Sequence, residues 1–577
     1  MAERFDVCIV GSGFGGSIAA FRLAELYRAA GQTPSILVLD HGPRHQHTDF
    51  RQSMDVEHLS RIYGLIQGQG AQIVVGNGVG GGSNFYLAAS LRSPSETFER
   101  RDHRPDDGPD RRMWPQEISR TTLDPFYARA ERALRVQRPS WKQVAKSGGL
   151  WAATLDRAGH TCDRVPLAID LSRCIQAKWC HTGCIYGAKN SVITNYLASA
   201  EEMGVEVRPN SEAELIVQSQ GQPYRYVVTS WELDNEGPNP TRQPTGRSFE
   251  IECKVLILAA GAMGNSPLLM RSRPGLPNLS SQVGKHVGIN GDHIAAIEYD
   301  EKKVKEVLRL PGYGQTYKGN HITTMTYDFW AGRSGNQWDG TRFTLQEIFL
   351  STLPHILYDD GRDPSGEPSW WGLQKKQALS TFNNHIEILA MIEDTNDGEF
   401  FAAPPSGGAV RPNAGPVWVG MFNYNLSEQT VRAREAANSA IADVLAKAGL
   451  GRFMKFTFRT ANASHPLGGC RMADSKDVGV VDHQNEVFGY PGLFCMDSSS
   501  IPTSLGVNPS LTISAVAERA CQLLINRSAD YGLPAKPSRF AAGTPGVHLG
   551  AHTEPIRRTS DKPIDDKVRY YETAFRG

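Results

Sequence analysis

A glycine-rich turn between an apolar run and a helical pattern constrains the fold of this chain more than any other feature. Residues 5–10 (FDVCIV) form a short apolar run without alternation, as expected for a strand covered on both faces in a parallel sheet. The turn GSGFGG follows at 11–16 and leads into a segment in which Ala19 and Leu23 share one helical face. A second apolar run, SILVLD, ends at Asp40. This order predicts a β-α-β unit.

The turn fits the pattern G-x-G-x-x-G through Gly11, Gly13 and Gly16. These glycines allow a tight turn, close approach to a pyrophosphate, and close packing of helix on strand, and the following helix directs its free N–H groups at the phosphates. Asp40 lies 24 residues after Gly16, near the offset of about 20 at which an acid binds a ribose hydroxyl. The unit predicts a dinucleotide site and leaves open whether the ligand is NAD or FAD.

A second glycine cluster, GNGVGGGSN, occupies residues 76–84. Its glycine density suits a backbone that lies along a large ligand, because glycine permits close approach and left-handed turns. A flexible surface loop is the alternative interpretation, and the valines before the cluster argue against it. The candidate cofactor-binding residues here are Gly78, Gly80, Gly81, Gly82, Ser83 and Asn84.

The length and charge of the chain narrow the classes of partner. With 577 residues the chain is too long for one hydrophobic core and suits two joined domains. Lysine plus arginine equals aspartate plus glutamate, at 61 each, so there is no net charge to attract nucleic acid or an anionic membrane. We therefore expect a small-molecule partner. No apolar run is long enough to span a membrane and the first residues lack a signal-peptide pattern, which predicts a cytoplasmic protein.

Patterns further along the chain predict an interrupted α/β fold. A third strand-turn-helix run, KVLILAAGAMGNSP at 254–267, lies far downstream of the first two, so inserted segments must interrupt the sheet. The run HIEILAMIED at 385–394 has one wholly apolar and one mixed face, which predicts a strand. A helix is predicted to start near Ser427 and to stop at Gly449.

Five motifs, in order along the chain, resemble those of the glucose-methanol-choline (GMC) oxidoreductases, and within them the cholesterol oxidase branch. They are the early G-x-G-x-x-G fingerprint, GNGVGGGSN, GAMGNSPLLMRS at 261–272, HPLGGC at 465–470 and MDSSSIPTSLGVNPSLTISAVAERA at 496–520. The resemblance implies a Rossmann-type FAD-binding domain assembled from discontinuous segments, and an α+β substrate domain with a large, mostly antiparallel sheet. It also implies oxidation of an alcohol to a carbonyl.

The domain boundaries follow from these patterns. The segments 46–69 and 101–184 are polar, rich in proline and aromatic residues, and predicted to be irregular. The FAD-binding domain is predicted to comprise residues 1–45, 70–100, 185–292 and 455–528, the substrate domain 46–69, 101–184 and 293–454, and a C-terminal tail 529–577.

The resemblance assigns chemistry to particular positions. In the family, the histidine of HPLGGC and the asparagine of GVNP face the reactive edge of the flavin, and here they are His465 and Asn508. A histidine suits removal of the hydroxyl proton, and the asparagine can orient the same oxygen. Pro509 would begin a helix whose positive end stabilises charge on the flavin. Asp497, near the ribityl chain or phosphates, and Gly261 complete the implied cofactor site.

Two departures from the family pattern qualify the resemblance. Three residues after GGGS, the cholesterol oxidases have an asparagine near the flavin, and here the position is Tyr86. The loop also lacks the histidine to which some relatives attach flavin covalently. We therefore predict non-covalent FAD.

A cysteine array, Cys174, Cys180 and Cys184, admits several interpretations. Thiolates are the preferred ligands of iron–sulfur clusters, and the spacing resembles that of GMC dehydrogenases with a three-iron cluster. The position of a fourth cysteine in bacterial relatives is Ala177 here. The favoured interpretation is a reduced, packed loop, or one disulfide with an odd thiol. Zinc would need His181 as a fourth ligand.

Three hypotheses of function follow. The first is an FAD-dependent oxidation of a secondary hydroxyl on a bulky, sterol- or terpenoid-like substrate, with His465 as base and oxygen or another acceptor reoxidising the flavin. The second is an iron–sulfur-containing dehydrogenase of sugars or polyols that uses a non-oxygen acceptor. The third is a flavin-binding scaffold without activity. Glu387 and Glu393 are candidates for the isomerase carboxylate of cholesterol oxidases, but that activity is not assigned, since surface or ion-paired glutamates are the favoured interpretation.

Overall fold

The computed structural model describes residues 2–102, 111–219, 221–234, 244–308, 319–330, 341–348, 384–403, 419–454 and 461–546. Within these ranges the helices are α1 (Phe14–Ala29), α2 (Val56–Ile62), α3 (Arg120–Ala133), α4 (Lys146–Arg157), α5 (Tyr196–Glu202), α6 (Ala262–Arg271), α7 (Glu301–Leu308), α8 (Glu428–Ala448) and α9 (Ser510–Asn526). Residues 547–577 of the predicted tail lie outside the described residues.

The strands alternate between the two halves of the molecule. They are β1 (Glu3–Val10), β2 (Ile36–Leu39), β3 (Tyr63–Gln67), β4 (Ala71–Gly76), β5 (Arg101–Asp102), β6 (Arg111–Arg112), β7 (Asp163–Arg164), β8 (Glu206–Arg208), β9 (Ser211–Gln218), β10 (Tyr226–Leu233), β11 (Pro244–Leu258), β12 (Asp292–Tyr299), β13 (Ile322–Thr326), β14 (Phe343–Ile348), β15 (His385–Ile392), β16 (Glu399–Ala403), β17 (Val419–Asn423), β18 (Gly451–Met454), β19 (Ala461–Ala463) and β20 (Leu493–Cys495).

The first sheet has a parallel core of strands that are distant in sequence. Its order is β8-β2-β1-β11-β10-β9, and β20 pairs with the end of β11. β1 runs parallel to β2 and β11, whereas β10 is antiparallel to both of its neighbours. Helices α1 and α9 pack on each other and belong to the same buried core as this sheet. The predicted Rossmann-type arrangement from discontinuous segments is confirmed.

The second sheet is antiparallel and has the order β18-β12-β15-β14-β13-β7. The predicted strand at 385–394 is confirmed as β15, and both of its faces are buried. Ile386, Ile388, Ala390 and Ile392 pack against α8 and α4, while Leu389 and Met391 belong to the core shared with the first sheet. The second sheet therefore lies between a helical layer and the dinucleotide-binding half of the molecule.

A small third sheet, in the order β19-β4-β3, joins two motif-bearing segments. β4 ends at Gly76, where the second glycine cluster begins, and β19 ends at Ala463, two residues before His465. Ala463 lies opposite Ile73 in the parallel register. The pairing therefore brings the glycine cluster and the histidine motif, which are almost 400 positions apart, to one region.

The helix predicted at 427–449 is confirmed as α8. The side chain of Ser427 accepts a hydrogen bond from Thr430 N, and Gly449 ends the helix in the left-handed conformation, at φ 67°. The prediction that 46–69 and 101–184 are irregular is wrong for α2 and β3 in the first segment and for α3 and α4 in the second. In α4, Gly148 and Gly149 disfavour a helix by propensity, but a Cβ at Gly148 would approach Thr323 Oγ1 to 2.0 Å, so tight packing on β13 requires glycine.

No helix in the described ranges is long and apolar enough to cross a membrane.

Candidate functional site

The first glycine motif forms the turn between β1 and α1. Gly11 has φ 97°, and a Cβ there would lie 2.3 Å from Ala259 O. A Cβ at Gly16 would lie 1.9 Å from Gly11 O, so both positions require glycine because backbones meet there. An ideal Cβ at Gly13 has nothing within 4 Å. The middle glycine therefore borders open space at the start of α1, where the predicted pyrophosphate would lie.

The second glycine loop folds against the first. Gly80 is left-handed, at φ 94°, and starts a short 3₁₀ turn over Gly81–Asn84. A Cβ at Gly81 would lie 3.2 Å from Gly13 Cα, while at Gly82 it would have nothing within 4 Å. Open space thus borders Gly82 as well as Gly13, and a long ligand can lie against both loops.

The other predicted residues of this loop serve partly to hold its shape. Ser83 Oγ donates to Gly80 O at 2.7 Å and accepts from Val192 N at 3.2 Å. Asn84 Nδ2 donates to Val79 O at 2.8 Å, while its buried Oδ1 has no partner in the described part of the chain. Gly78 has φ 138° and packs on the ring of His45.

Asp40 connects these two loops through Ser12. Its Oδ2 accepts from Ser12 N at 2.9 Å and from Ser12 Oγ at 2.5 Å, and its Oδ1 accepts from Gly42 N at 2.8 Å. Ser12 Oγ in turn accepts from Gly80 N at 2.8 Å. Burial raises the pKa of Asp40 despite these donors, which favour the ionised form. The carboxylate therefore holds the two glycine loops together through Ser12, and it retains lone pairs that can accept from a ribose hydroxyl.

Asp497 joins the start of α6 to the motif at 496–500. Its Oδ2 accepts from Gly261 N at 2.5 Å and from Asn265 Nδ2 at 2.9 Å. Its Oδ1 accepts from the backbone N and the hydroxyl of Ser499, at 2.8 and 2.6 Å. Burial raises the pKa of this carboxyl. Gly261, at φ 78°, begins α6 at this junction. The described contacts of Asp497 are thus with protein groups that it fixes in place.

His465 is held by the carboxylate of Asp292, a residue that belongs to none of the sequence motifs. Its Nδ1 lies 2.8 Å from Oδ1 of Asp292, the first residue of β12, and its side chain is 20% exposed. Oδ2 of Asp292 accepts from Ser464 N at 3.3 Å. Because a carboxylate can only accept, Nδ1 carries the hydrogen and Nε2 keeps its lone pair. The pair resembles the general-base half of a hydrolase triad in geometry alone, and it prepares Nε2 to take a proton.

The glycines after His465 are required by close packing. Gly468 has φ 82°, and a Cβ there would lie 2.1 Å from His286 O. A Cβ at Gly469, where φ is 88°, would lie 2.2 Å from Ser266 Oγ in α6. Gly468 N and Cys470 N both donate at 3.0 Å to carbonyls of the 498–499 turn. The motif HPLGGC therefore anchors the histidine between three backbone segments.

Asn508 precedes α9 and is 6% exposed. Its buried Oδ1 has no hydrogen-bond partner among the described residues. Pro509 stands immediately before the helix, with φ −81° and ψ −17°, one position earlier than predicted. No described side chain caps this helix, so its first N–H groups remain available to a bound anionic group.

A three-residue stretch connects the histidine and the asparagine. Asn290 Nδ2 donates to Val507 O at 2.9 Å, and its Oδ1 accepts from Leu505 N at 2.7 Å. Two residues further, Asp292 binds His465. The segment 290–292 therefore holds the loop of Asn508 on one side and His465 on the other. The two predicted catalytic residues, 43 positions apart, are attached to the same short piece of backbone.

The cysteine array lies close together but does not form a metal centre in the described part of the chain. No group of three or more His, Cys, Asp or Glu residues there could hold a metal ion. All nine cysteines lie in the described ranges and none forms a disulfide there, so the disulfide alternative is wrong. The pKa of Cys180 is raised to about 12, mainly by burial and to a smaller extent by the nearby Cys184 and Cys174, while Lys189 opposes the shift.

Lys189 is a site residue that the sequence analysis missed. Its buried Nζ donates to Asn84 O, to Cys180 O at 2.6 Å and to Tyr86 O at 3.2 Å. Burial lowers its pKa to about 8, and the nearby Cys180 and Cys184 oppose that shift. The lysine ties the cysteine segment to the second glycine loop. Tyr86, the departure from the family pattern, packs under the ammonium at 5.6 Å and donates to Asn190 O.

The two glutamates that the sequence analysis considered differ in setting. Glu393 is ion-paired with Arg100 at 3.4 Å. Glu387 is 2% exposed, and burial lowers the pKa of the neighbouring Lys178, an effect that Glu347 and Glu387 oppose. Glu347 was missed. It is fully buried on β14 and accepts from Ser147 Oγ and from Thr323 Oγ1 at 3.1 Å.

The open space bordered by Gly13 and Gly82, the start of α1 and the unpaired amide of Asn508 fit a dinucleotide that carries a reactive ring. A parallel sheet with such a cleft, together with a histidine–aspartate pair, defines a dinucleotide-dependent oxidoreductase. The chain belongs to the GMC oxidoreductase family: its models, described as GMC oxidoreductase, match residues 23–290 and 404–517. It is an FAD-dependent oxidoreductase that acts on CH–OH groups.

Relatives extend along nearly the whole chain. A cholesterol oxidase of Mycobacterium tuberculosis is 29% identical, over 91% of this chain and 92% of the relative. A long-chain-alcohol oxidase of Arabidopsis thaliana is 23% identical, over 89% of this chain and 66% of the relative. Among solved structures, formate oxidase of Aspergillus oryzae, studied for its FAD modification, has a TM-score of 0.59 at 14% identity and covers 92% and 99% of the two chains.

Proposed function

We propose that this protein oxidises a secondary hydroxyl of a bulky, sterol- or terpenoid-like alcohol to a carbonyl, with non-covalent FAD and with His465 as the base. The observation that carries the proposal is the segment 290–292. It binds the loop of Asn508 through Asn290 and it binds His465 through Asp292, so a proton acceptor and a hydrogen-bonding amide share one support.

His465 would take the hydroxyl proton at Nε2. Asp292 accepts from Nδ1 and fixes the tautomer that leaves Nε2 basic. The carboxylate also stabilises the imidazolium that forms when the proton arrives, because the two groups are 2.8 Å apart and largely shielded from water. Proton removal raises the electron density on the carbinol oxygen, and this favours departure of hydride from the carbon.

Asn508 would orient the same oxygen. Its Nδ2 would donate to that oxygen, because the one hydroxyl proton goes to His465 and an amide oxygen can only accept. The buried Oδ1 without a partner would accept from a different donor of the bound ligand, since leaving it unpaired is unfavourable by about 1–3 kcal/mol. When bound, FAD supplies the hydride acceptor, N5 of its isoalloxazine. The chain would hold it with the loops around Gly13 and Gly82 and would stabilise negative charge through the N-terminus of α9.

The side chains on one face of the second sheet favour an apolar alcohol as the substrate. On the face of the second sheet that belongs to the shared core, Ile294, Leu389 and Met391 follow Asp292 across neighbouring strands. This surface suits a hydrocarbon skeleton, and the relatives named above are a cholesterol oxidase and a long-chain-alcohol oxidase. Their names also favour oxygen as the acceptor.

The decisive experiment mixes the holoenzyme, without oxygen, with a 3-hydroxysteroid or a terpenoid secondary alcohol. Bleaching of the flavin absorbance is expected in the wild type. It should be at least ~100-fold slower in His465→Asn, whose amide nitrogen can still donate to Asp292 but which lacks the base. Readmission of air should restore the absorbance with one peroxide per alcohol. Equal bleaching rates in the two proteins would refute His465 as the base.

Two further measurements test the cofactor proposal. Acid denaturation should release the flavin into the supernatant, because no covalent bond is proposed. Iron analysis of the purified protein should find less than one iron per chain. Two or more irons together with absent peroxide formation would favour the iron–sulfur dehydrogenase.

A further inference from the structure

We propose that Gln346 determines substrate specificity by binding a second hydroxyl of the alcohol, one pleat of the sheet away from the reacting carbon. The inference rests on the proposed function for the identity of the reacting group. It is carried by a buried amide that the fold leaves without a partner among the described residues, in the row of the second sheet next to the one that supports His465 and Asn508.

The register of the second sheet identifies the cross-strand row of residues that supports His465 and the loop of Asn508. Asp292 of β12 lies opposite Met391 of β15, which lies opposite Thr344 of β14. Asp292 holds His465, and Thr344 Oγ1 donates to Gly506 O at 2.6 Å, two residues before Asn508. One cross-strand row therefore supports both candidate catalytic residues from opposite ends.

Gln346 lies in the next row. It follows Thr344 by two positions on β14, so the two side chains share a face and are separated by about 7 Å along the strand. Gln346 lies opposite Leu389 of β15 and Met325 of β13, and both of these belong to the core shared with the first sheet. Gln346 thus faces the same side of the sheet as Thr344.

The amide of Gln346 is fully buried, at 0% exposure. Neither its Oε1 nor its Nε2 has a hydrogen-bond partner within the described residues. By contrast, Glu347, on the opposite face of the same strand, accepts from Ser147 and Thr323. A buried polar group left unpaired at both ends is strongly unfavourable, and a ligand that pairs with both ends removes that cost.

A second unpaired group lies beside the same loop. Trp330 is 3% exposed, and its Nε1 has no partner in the described ranges. Its ring covers Gly506, where an added Cβ would approach ring carbons to 2.3 Å. Trp330 Nε1 and Asn508 Oδ1 are thus two unsatisfied atoms beside the loop of Gly506, and Gln346 lies one pleat from Thr344, which binds that loop. Their concentration at one place indicates polar ligand groups at more than one position.

The chemistry of the amide selects the ligand group. Gln346 offers one acceptor and two donors and carries no charge, so a hydroxyl, which both donates and accepts, satisfies both of its ends. Leu389 and Met325 beside it are apolar. The geometry points to a hydroxyl borne on a hydrocarbon skeleton, that is, a diol whose other hydroxyl is oxidised.

The test compares two steroids of one skeleton, one with a single 3-hydroxyl and one with an additional distal hydroxyl, together with their 3-ketones as unreactive ligands. The variant is Gln346→Met, an unbranched side chain of similar length without polar atoms. Gln346→Leu is the second variant. Ser230→Ala is the matched control, because the Ser230 hydroxyl on β10 is also buried and unpaired, on a strand that contributes no residue to the site.

The wild type should prefer the diol, and Gln346→Met should change the ratio of kcat/KM for the diol to that for the monohydroxy compound by about 100-fold or more. The ratio of Kd values for the two ketones should move in the same direction. Ser230→Ala should leave both ratios within twofold. Gln346→Met and Ser230→Ala should both melt at a higher temperature than the wild type, since each loses a buried unpaired group.

Ketone binding separates this inference from the proposed function. If no alcohol bleaches the flavin but the Kd ratio still depends on Gln346, the reaction assignment fails and the binding role stands. If bleaching occurs and neither ratio changes in Gln346→Met or Gln346→Leu, the role of Gln346 is refuted. Flavin content and the circular dichroism of each variant show that the comparison is made between folded holoenzymes.

Discussion

Asp292 determines which nitrogen of His465 carries a hydrogen. We predict that Asp292→Asn lowers the rate of flavin reduction about 100-fold, because an amide can donate to Nδ1 and so place the hydrogen on Nε2. KM should change little, since Asp292 is a positioning residue behind the histidine. Stopped-flow absorbance without oxygen measures the rate directly.

A double variant distinguishes this role from a structural one. If Asp292 acts only through His465, the pair Asp292→Asn and His465→Asn should be no slower than His465→Asn alone. Additive losses would contradict the prediction. No motif announces Asp292, since it is a single acid at the beginning of an ordinary strand, and only the register of β12 brings it to the histidine.

Glu347 carries a second residue-scale prediction, on stability. Burial raises its pKa from 4.5 to about 7, while Lys178 opposes that effect. The native state therefore binds the proton more tightly than the unfolded chain, so the stabilisation is present at low pH and is lost as pH rises from about 4.5 through 7. The effect amounts to about 3 kcal/mol at most.

The measurement is the denaturant midpoint of wild type and Glu347→Gln between pH 5 and pH 8. Because the glutamine stays neutral, its stability relative to the wild type should increase as pH rises. Glu306→Gln, on the exposed side of α7, is the control and should show no such trend. A difference that shrinks with rising pH would contradict the sign of the linkage.

At the scale of elements, the turn between β1 and α1 contains two kinds of glycine. Gly11 and Gly16 are required by close backbone packing, whereas Gly13 borders the space proposed for the cofactor. Gly13→Ala should fold normally, because Gly13 has φ −63° and nothing within 4 Å of its Cβ, but it should weaken FAD binding at least ~10-fold. Fluorescence titration of apoprotein with FAD gives the affinity, and thermal melting of the apoprotein reports the fold.

Gly16→Ala is the matched control for that experiment. Its Cβ would lie 1.9 Å from Gly11 O, so α1 must move away from the strand, and the apoprotein should lose stability even without FAD. If both alanine variants lowered the apoprotein melting temperature equally, the assignment of the open space at Gly13 to the cofactor would be wrong.

The helices differ in how well the sequence alone predicts them. α1 and α8 were predictable because their caps and periodicity are local, with Ser427 and Gly449 at the two ends of α8. α4 was not predictable, because Gly148 is chosen by the approach of β13 rather than by helix propensity. The loops of His465 and Asn508 were predictable only from family motifs, since nothing local requires them to meet.

At the scale of the whole molecule, the register between distant strands was beyond prediction. β1 lies between β2 and β11, which is more than 200 positions downstream. The same holds for the second sheet. The roles assigned to Gln346 and Asp292 depend on their neighbours on adjacent strands, and those neighbours are far away in sequence. Hydrophobic periodicity identifies strands but not their partners.

A buried ionic network joins the beginning and the end of the described chain. Arg22 of α1 donates from Nε and Nη2 to both oxygens of Glu518 in α9, each at 2.7 Å, and from Nη1 to Gly543 O at 2.7 Å. Tyr196 OH donates to the same glutamate at 2.7 Å. Arg22 and Glu518 have side chains that are 1% and 0% exposed. The network fixes α9, whose first residues lie at the site, against the helix that begins at the cofactor turn.

We predict that Glu518→Gln lowers the melting temperature of the holoenzyme by about 5 °C or more, because it leaves Arg22 buried beside an uncharged group. Glu25→Gln is the control. Glu25 pairs with the same arginine at 2.7 Å but is 15% exposed, so its loss should lower the melting temperature less than the loss of Glu518. FAD should also dissociate faster from Glu518→Gln, since α1 and α9 both border the dinucleotide site. Equal melting temperatures for the two variants would show that the buried pair does not hold the two helices together.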